Sequence, residues 1–168
     1  MKRHIEIFYD YACPFSRKSH TYLARLLPSF PHIEPVWRPC ESYPRPESHE
    51  LHQHSDLCIR AMFYAAEQGV DLWKFHDLAY ALMHDTEVNA EDIDSLANGL
   101  SELLDADGLR QALSTGKHIR TLFDANKYAF ELTGVWALPS YRMDGRKLDS
   151  IEEIGVTEDQ LREFLESR

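Results

Sequence analysis

The sequence predicts an α/β domain ordered β-α-β, a block of helices, then α-β-β-α. Three observations carry this. Residues 5–20, IEIFYDYACPFSRKSH, read as a strand, a short loop and a helix opened by proline. From residue 57 to residue 133 apolar side chains recur at helical spacing. After that, Tyr141-Arg142-Met143 and Arg146-Lys147-Leu148 flank Asp144-Gly145, a type I′ hairpin signal, and a capped helix follows. Strand–helix alternation of this kind gives the α/β class.

The elements follow in order. Ile5, Ile7 and Tyr9 alternate with Glu6 and Phe8 in an aromatic, β-branched run that suits a strand. Pro14 opens a helix, where its missing N–H costs nothing. Tyr22, Leu23, Leu26 and Leu27 form the apolar stripe of that helix, and Pro28 and Pro31 end it. His32 to Arg38 reads as a second strand, which Pro35 assigns to an edge or a bulge. Three prolines between Pro39 and Pro46 mark a connector.

Helices follow in series. Leu57, Cys58, Ala61, Met62 and Ala65 share one face, with Gly69 as the C′ residue. Asp71 caps the next helix, whose face is Leu72, Phe75, Ala79, Leu82 and Met83. Asn89 caps a third, with Ile93, Leu96, Ala97, Leu100 and Leu103. A short fourth carries Leu109, Ala112 and Leu113. A fifth, from Lys117 to Thr133, presents Ile119, Leu122, Phe123 and Phe130. In the last helix Thr157 and Gln160 form a capping box, and Val156 and Leu161 form a hydrophobic staple.

Composition bounds the function. The 168 residues are enough for one domain with a sizeable core, and 43% hydrophobic content argues against disorder. A net charge of −10 argues against a nucleic-acid partner. No apolar run approaches the ~18 residues of a membrane span. The start, MKRHIEIFYD, lacks the apolar segment of a signal peptide, so a cytoplasmic location is expected. Eight carboxylates and no Lys or Arg lie between Asp85 and Leu109; a solvated helical face is the expected reading.

The chemistry centres on Cys13. Pro14 places it at a helix N-cap, where free N–H groups and the positive end of the dipole point at the sulfur. Such a position can bring a thiol pKa from about 8.5 to roughly 3.5–7.5. Arg17 and Lys18 add positive charge, and Arg17 at i+4 can reach back. Burial is the commoner fate of a free cysteine, but the strand–Cys–Pro–helix order favours a reactive one. Cys13, Cys40 and Cys58 form no C-x-x-C and no disulfide framework, which fits a reducing compartment.

Other signals are weaker. His49, His52 and His54, with Cys58 at i+4 from His54, invite a metal, but no paired ligand motif supports one and none is predicted. Asp105-Ala106-Asp107-Gly108 echoes a calcium loop without its later ligands and is rejected. Tyr9, Tyr11, Phe15 and Trp136 either line an apolar cleft beside Cys13 or pack in the core, the latter being the better reading for Tyr9.

CPFS after an aromatic strand resembles the active-site corner of the DsbA-like branch of the thioredoxin superfamily, where the pattern is C-P-x-C. It is also similar to the S-P-Y-S corner of 2-hydroxychromene-2-carboxylate isomerases and kappa-class glutathione transferases. Cys13 matches the nucleophile of the first group and Ser16 the second serine of the other. Gly134-Val135 and Leu138-Pro139-Ser140 resemble a second DsbA-like phrase, G-V-x-G-V-P-T, with Ala137 in place of the second glycine. Pro39-Cys40-Glu41-Ser42 loosely matches a P-F-E-L phrase that leads into a helical insertion.

The resemblance implies a thioredoxin-like mixed sheet in a single domain, 1–168. Residues 1–40 and 117–168 would form its core and 41–116 the helical insertion between the βαβ and ββα halves. It implies a cis Leu138–Pro139 bond opposite Cys13, with the residue 138 backbone free to pair with a peptide or glutathione. The implied catalytic residues are Cys13 and Ser16. Pro14, Phe15, Arg17, Leu138, Pro139 and Ser140 would bind substrate or glutathione. The implied activity is thiol–disulfide exchange by one cysteine, with no tightly bound cofactor and with glutathione as co-substrate. Resolution would come from glutathione, or from Cys40 or Cys58. Cys40 is the better internal candidate, although buried packing is the commoner reading of both. A thiol or disulfide, either glutathione or a peptide, is the expected partner, with a homodimer left open. The alternatives are a glutathione-dependent isomerase or transferase, and a binding module on a degenerate scaffold.

Overall fold

The computed structural model describes residues 1–47 and 52–167. Four strands, β1 (Arg3–Tyr9), β2 (Ile33–Pro39), β3 (Ser140–Met143) and β4 (Arg146–Asp149), form one sheet in the order β2-β1-β3-β4. β1 pairs parallel with β2 and antiparallel with β3, which turns into β4 at Asp144-Gly145. Both turn residues have positive φ, 52° and 76°, as a type I′ turn requires. Pro35 lies in β2, which is an edge strand, so its missing N–H breaks no interior ladder.

Helix α1 (Pro14–Leu26) joins β1 to β2. It stops one residue short of the Leu27 expected, because Pro28 tightens Leu27–Ser29 into a 3₁₀ turn. Between β2 and the second half of the sheet come α2 (Asp56–Glu67), α3 (Leu72–His84), α4 (Ile93–Gly99), α5 (Ala106–Ser114) and α6 (Ile119–Lys127). Helix α7 (Glu158–Glu166) closes the chain. This is the thioredoxin-like arrangement of a mixed sheet with a helical insertion.

Interior strand β1 is covered on both faces. Ile5, Ile7 and Tyr9 face the main core with Leu23 and Leu26 of α1, the insertion helices, and Leu161 and Leu165 of α7. Phe8 points the other way, into a smaller cluster with Cys40, Ala129 and Val135. Strict alternation along one strand thus supplies two cores.

Two sequence expectations are corrected. Asn89 does not cap α4. Its side chain accepts the Glu91 N–H in a local turn, and Asp92 caps the helix by accepting from Ser95 N–H at 2.8 Å. The expected helix from Lys117 to Thr133 is also divided. Left-handed His118 precedes α6, and Tyr128–Leu132 form a π turn. Ile119 and Phe123 face outward within α6 itself, and the wider turn that follows rotates Phe130, so the apolar set does not share one buried face. Only Leu122 of the four is buried, and Phe123 is 63% exposed.

The caps predicted at Asp71 and Thr157 form. Asp71 accepts from Trp73 N–H, and Thr157 and Gln160 complete a reciprocal box ahead of buried Leu161. Asp105 caps α5 through Gly108 N–H. Thr157→Ala is expected to cost about 1 kcal/mol in urea unfolding with an unchanged m-value. A loss below about 0.3 kcal/mol would mean that packing alone holds α7.

Candidate active site

The site forms where β1 ends. Asp10 follows the strand, and its carboxylate accepts two backbone N–H groups, from Ala12 at 2.9 Å and from Ser42 at 2.7 Å. One side chain therefore ties the loop before α1 to the loop after β2. Cys13 sits at the N-cap with extended backbone, and its N–H donates to the Asp10 carbonyl at 3.0 Å. Its sulfur accepts the Ser16 N–H at 3.4 Å, in the manner of a capping side chain. The thiol also lies 3.8 Å from the Leu138 carbonyl, its acceptor across the cleft. The Leu138–Pro139 bond is cis.

The sulfur opens into a cleft of about 540 Å³. Pro14, Phe15 and Leu138 line it, as do Trp136 and Phe130. Gly155 backs Phe15. Its φ is +80°, and a Cβ there would meet the Phe15 ring and Cβ at 3.0–3.3 Å, so only glycine lets the loop before α7 close on that ring.

The expected site residues separate into groups. Cys13, Pro14, Phe15 and Leu138 reach the cleft. Ser16 lies beneath Cys13, its hydroxyl accepting from Asp10 N–H at 3.3 Å, and Pro139 faces the packed interior beside it. Ser140 is fully buried and donates to the Ala137 carbonyl at 2.7 Å, so it does not contact a cleft ligand. Arg17 does not reach back to Cys13. It pairs with Asp85 at the end of α3. Tyr9 and Tyr11 are core residues, whereas Phe15 and Trp136 line the cleft.

The thiol environment also corrects the sequence reading. Burial pushes the Cys13 thiol above its ordinary pKa. Hydrogen bonds from the Ser16 hydroxyl and N–H pull it down, and the nearby Asp10 carboxylate pushes it up again. The His20 and His76 imidazoles, which share a small internal space with Ser16, are themselves held under their usual range by burial. Desolvation outweighs the cap at this sulfur.

The other two thiols are removed from chemistry. Cys40 is fully buried and donates to the Tyr9 carbonyl at 3.7 Å, and burial raises it strongly. Cys58 is buried in the main core and is raised for the same reason. All three thiols are free. The His54–Cys58 ligand edge does not form, because His54 precedes α2 and is held by Glu91 and the Glu47 carbonyl. His49 lies outside the described residues, among which no group of three metal-binding side chains occurs.

Sequence reasoning missed Asp10, Glu41, Ser42 and Phe130. Asp10 and Ser42 meet only through the fold, 32 residues apart, with no local signal for their bond. Glu41 stands in the loosely matched phrase at residues 39–42 and bonds Asn126 of α6 at 2.8 Å. Phe130 reads as helical core until the π turn moves it to the cleft wall.

No protein-family model and no curated protein matches the sequence. Solved structures do resemble it. A probable DsbA oxidoreductase from Streptomyces coelicolor aligns with a TM-score of 0.77 at 17% identity, over 97% of this chain and 88% of that one. DsbA from Chlamydia trachomatis aligns at 0.72 and 12% identity, over 97% and 84%. A thioredoxin-like oxidoreductase from Silicibacter pomeroyi aligns at 0.67 and 21% identity, over 96% and 83%. The fold is thioredoxin-like. Each alignment runs along nearly the whole of this chain, so the fold is the one these structures have.

A raised thiol pKa has a measurable sign. Below the pKa the thiolate fraction falls about tenfold per pH unit. Alkylation of Cys13 by iodoacetamide, followed by peptide mapping, is expected to rise steadily from pH ~6 to pH ~8.5. A plateau below pH ~7 would show a depressed thiol and contradict this geometry.

Proposed function

We propose that the protein catalyses thiol–disulfide exchange through a single cysteine, Cys13. One observation carries this reading: of the three free sulfurs, Cys13 alone lines a cleft, held at a helix N-cap between the Ser16 N–H and the Leu138 carbonyl. The Cys13 proton leaves to solvent, and the thiolate attacks one sulfur of a disulfide. A Cys13–substrate disulfide forms, the old S–S bond breaks, and the departing thiolate takes up a proton. A second thiol then attacks the mixed disulfide and regenerates Cys13. Ser16 assists as a hydrogen-bond donor to the sulfur, since its hydroxyl cannot act as a resolving thiolate.

The resolving thiol comes from outside the chain, because Cys40 and Cys58 are buried and held neutral. Glutathione suits that role, and a reducing compartment such as the cytoplasm suits three free cysteines. Leu138 lines the cleft with its carbonyl toward Cys13, which supports an extended substrate segment lying across the cleft. The raised thiol supports one direction of use. A thiolate of higher pKa is intrinsically more nucleophilic and a poorer leaving group. Cys13 is therefore suited to taking groups from other disulfides and holding them, in contrast to a strong oxidant whose reduced form is stabilised.

Brief incubation with the neutral reagent bis(2-hydroxyethyl) disulfide tests this by intact mass and peptide mapping. One adduct, at Cys13, is expected. It is lost in Cys13→Ala and kept in Cys40→Ala and Cys58→Ala. No adduct, or an internal bond from Cys13 to Cys40, would overturn the single-cysteine reading.

A further inference from the structure

Two carboxylates form the floor of the cleft, and among the described residues no Lys or Arg lines it. Asp10 and Glu41 both line it and are only 1% and 4% exposed. Asp10 bonds backbone amides, and Glu41 bonds the side-chain amide of Asn126. Among the described residues neither forms an ion pair, and no Lys or Arg lines the cleft. The cations nearest in sequence are committed elsewhere, Arg3 to Asp144, Arg17 to Asp85, Arg38 to Glu6, and Arg45 to Asp56 and Glu91. Burial pushes the Glu41 carboxyl up and its bond to Asn126 pulls it back; an ionised buried carboxylate keeps much of its field, because little water screens it.

Above that floor stand aromatic faces. Phe15, Phe130 and Trp136 line the cleft, and Trp136 is 66% exposed. Aromatic rings attract cations across their faces, and the attraction grows as the cation is desolvated. A carboxylate-bearing ligand meets the reverse, since it enters a field of its own sign.

Building on the exchange reaction proposed above, we infer that this cleft selects disulfides that carry a cationic group, an ammonium or guanidinium, on a partly apolar body close to the sulfur. The Cys13 thiolate bonds the sulfur of the cationic half. The old S–S bond breaks, and the second half leaves as a thiolate and is protonated by solvent. The retained cation offsets the two carboxylates, which eases approach of an anionic resolving thiol such as glutathione. Glutathione is then a resolving reagent and not the ligand the cleft is shaped to hold.

The test compares second-order rates of Cys13 with cystamine, bis(2-hydroxyethyl) disulfide and 3,3′-dithiodipropionate. Each is normalised to N-acetylcysteine amide with the same reagent. Measurements are made at about pH 8, above the ordinary range of a histidine imidazole. Ionic strength is held near 0.01 M, where screening extends to about 30 Å. The normalised cystamine-to-dithiodipropionate ratio is expected to be at least about tenfold and to shrink severalfold in ~1 M salt. Glu41→Gln is expected to narrow it. A ratio within about twofold of unity and indifferent to salt would overturn the inference while leaving the exchange reaction intact. Failure of the neutral reagent to react would instead overturn the exchange reaction, and this inference with it. A peptide disulfide with Arg beside its cysteine, run against cystamine, then separates a basic peptide from a small amine as the source of the cation.

Discussion

The two hydrogen bonds accepted by the Asp10 carboxylate hold the site together. Ala12 N–H fixes the loop that delivers Cys13 to the start of α1, and Ser42 N–H fixes the loop that leaves β2. The Asp10 backbone adds two more contacts, its carbonyl to Cys13 N–H and its N–H to the Ser16 hydroxyl. Hydrogen bonds to a charged acceptor contribute about 1.5–3 kcal/mol each, and a buried amide left unpaired costs comparably. Without this carboxylate the two loops would lose their common anchor and the cleft its floor.

The same charge shapes the chemistry. It lies near enough to the Cys13 sulfur to raise the thiol, and burial pushes in the same direction. Ser16 works against both, but the helix terminus does not act alone as the sequence suggested. Arg17, the cation that was to help it, is held by Asp85. The result is a half-buried sulfur that faces a cleft of aromatic rings and carboxylates. Such a sulfur is suited to forming a stable mixed disulfide and poorly suited to expelling one.

Much of this was legible in local sequence. Asp144-Gly145, Asp71, Gly69 and the Thr157–Gln160 box each specify their geometry within a few residues, and each forms. Cys13-Pro14 likewise places a sulfur at a helix start, where it stands. The misses share a cause, which is that they depend on contacts distant in sequence. The neighbours of Asp10 and the burial of Ser140 are decided by the sheet. Phe130 is turned off the helical face by a π turn, for which apolar spacing carries no mark, and Phe123 lies on the exposed face of α6 ahead of that turn. Asn89 and Asp92 are both good caps, and the choice between them is set by where α4 packs.

Burial and the Asp10 charge disfavour the Cys13 thiolate relative to a free one. The equilibrium constant for exchange between Cys13 and bis(2-hydroxyethyl) disulfide, measured in a mercaptoethanol redox buffer by intact mass, reads this out. A Cys13 mixed disulfide more stable than that of N-acetylcysteine amide under the same conditions is expected. A mixed disulfide less stable than the reference would mean that the thiolate is favoured after all, and would contradict this expectation.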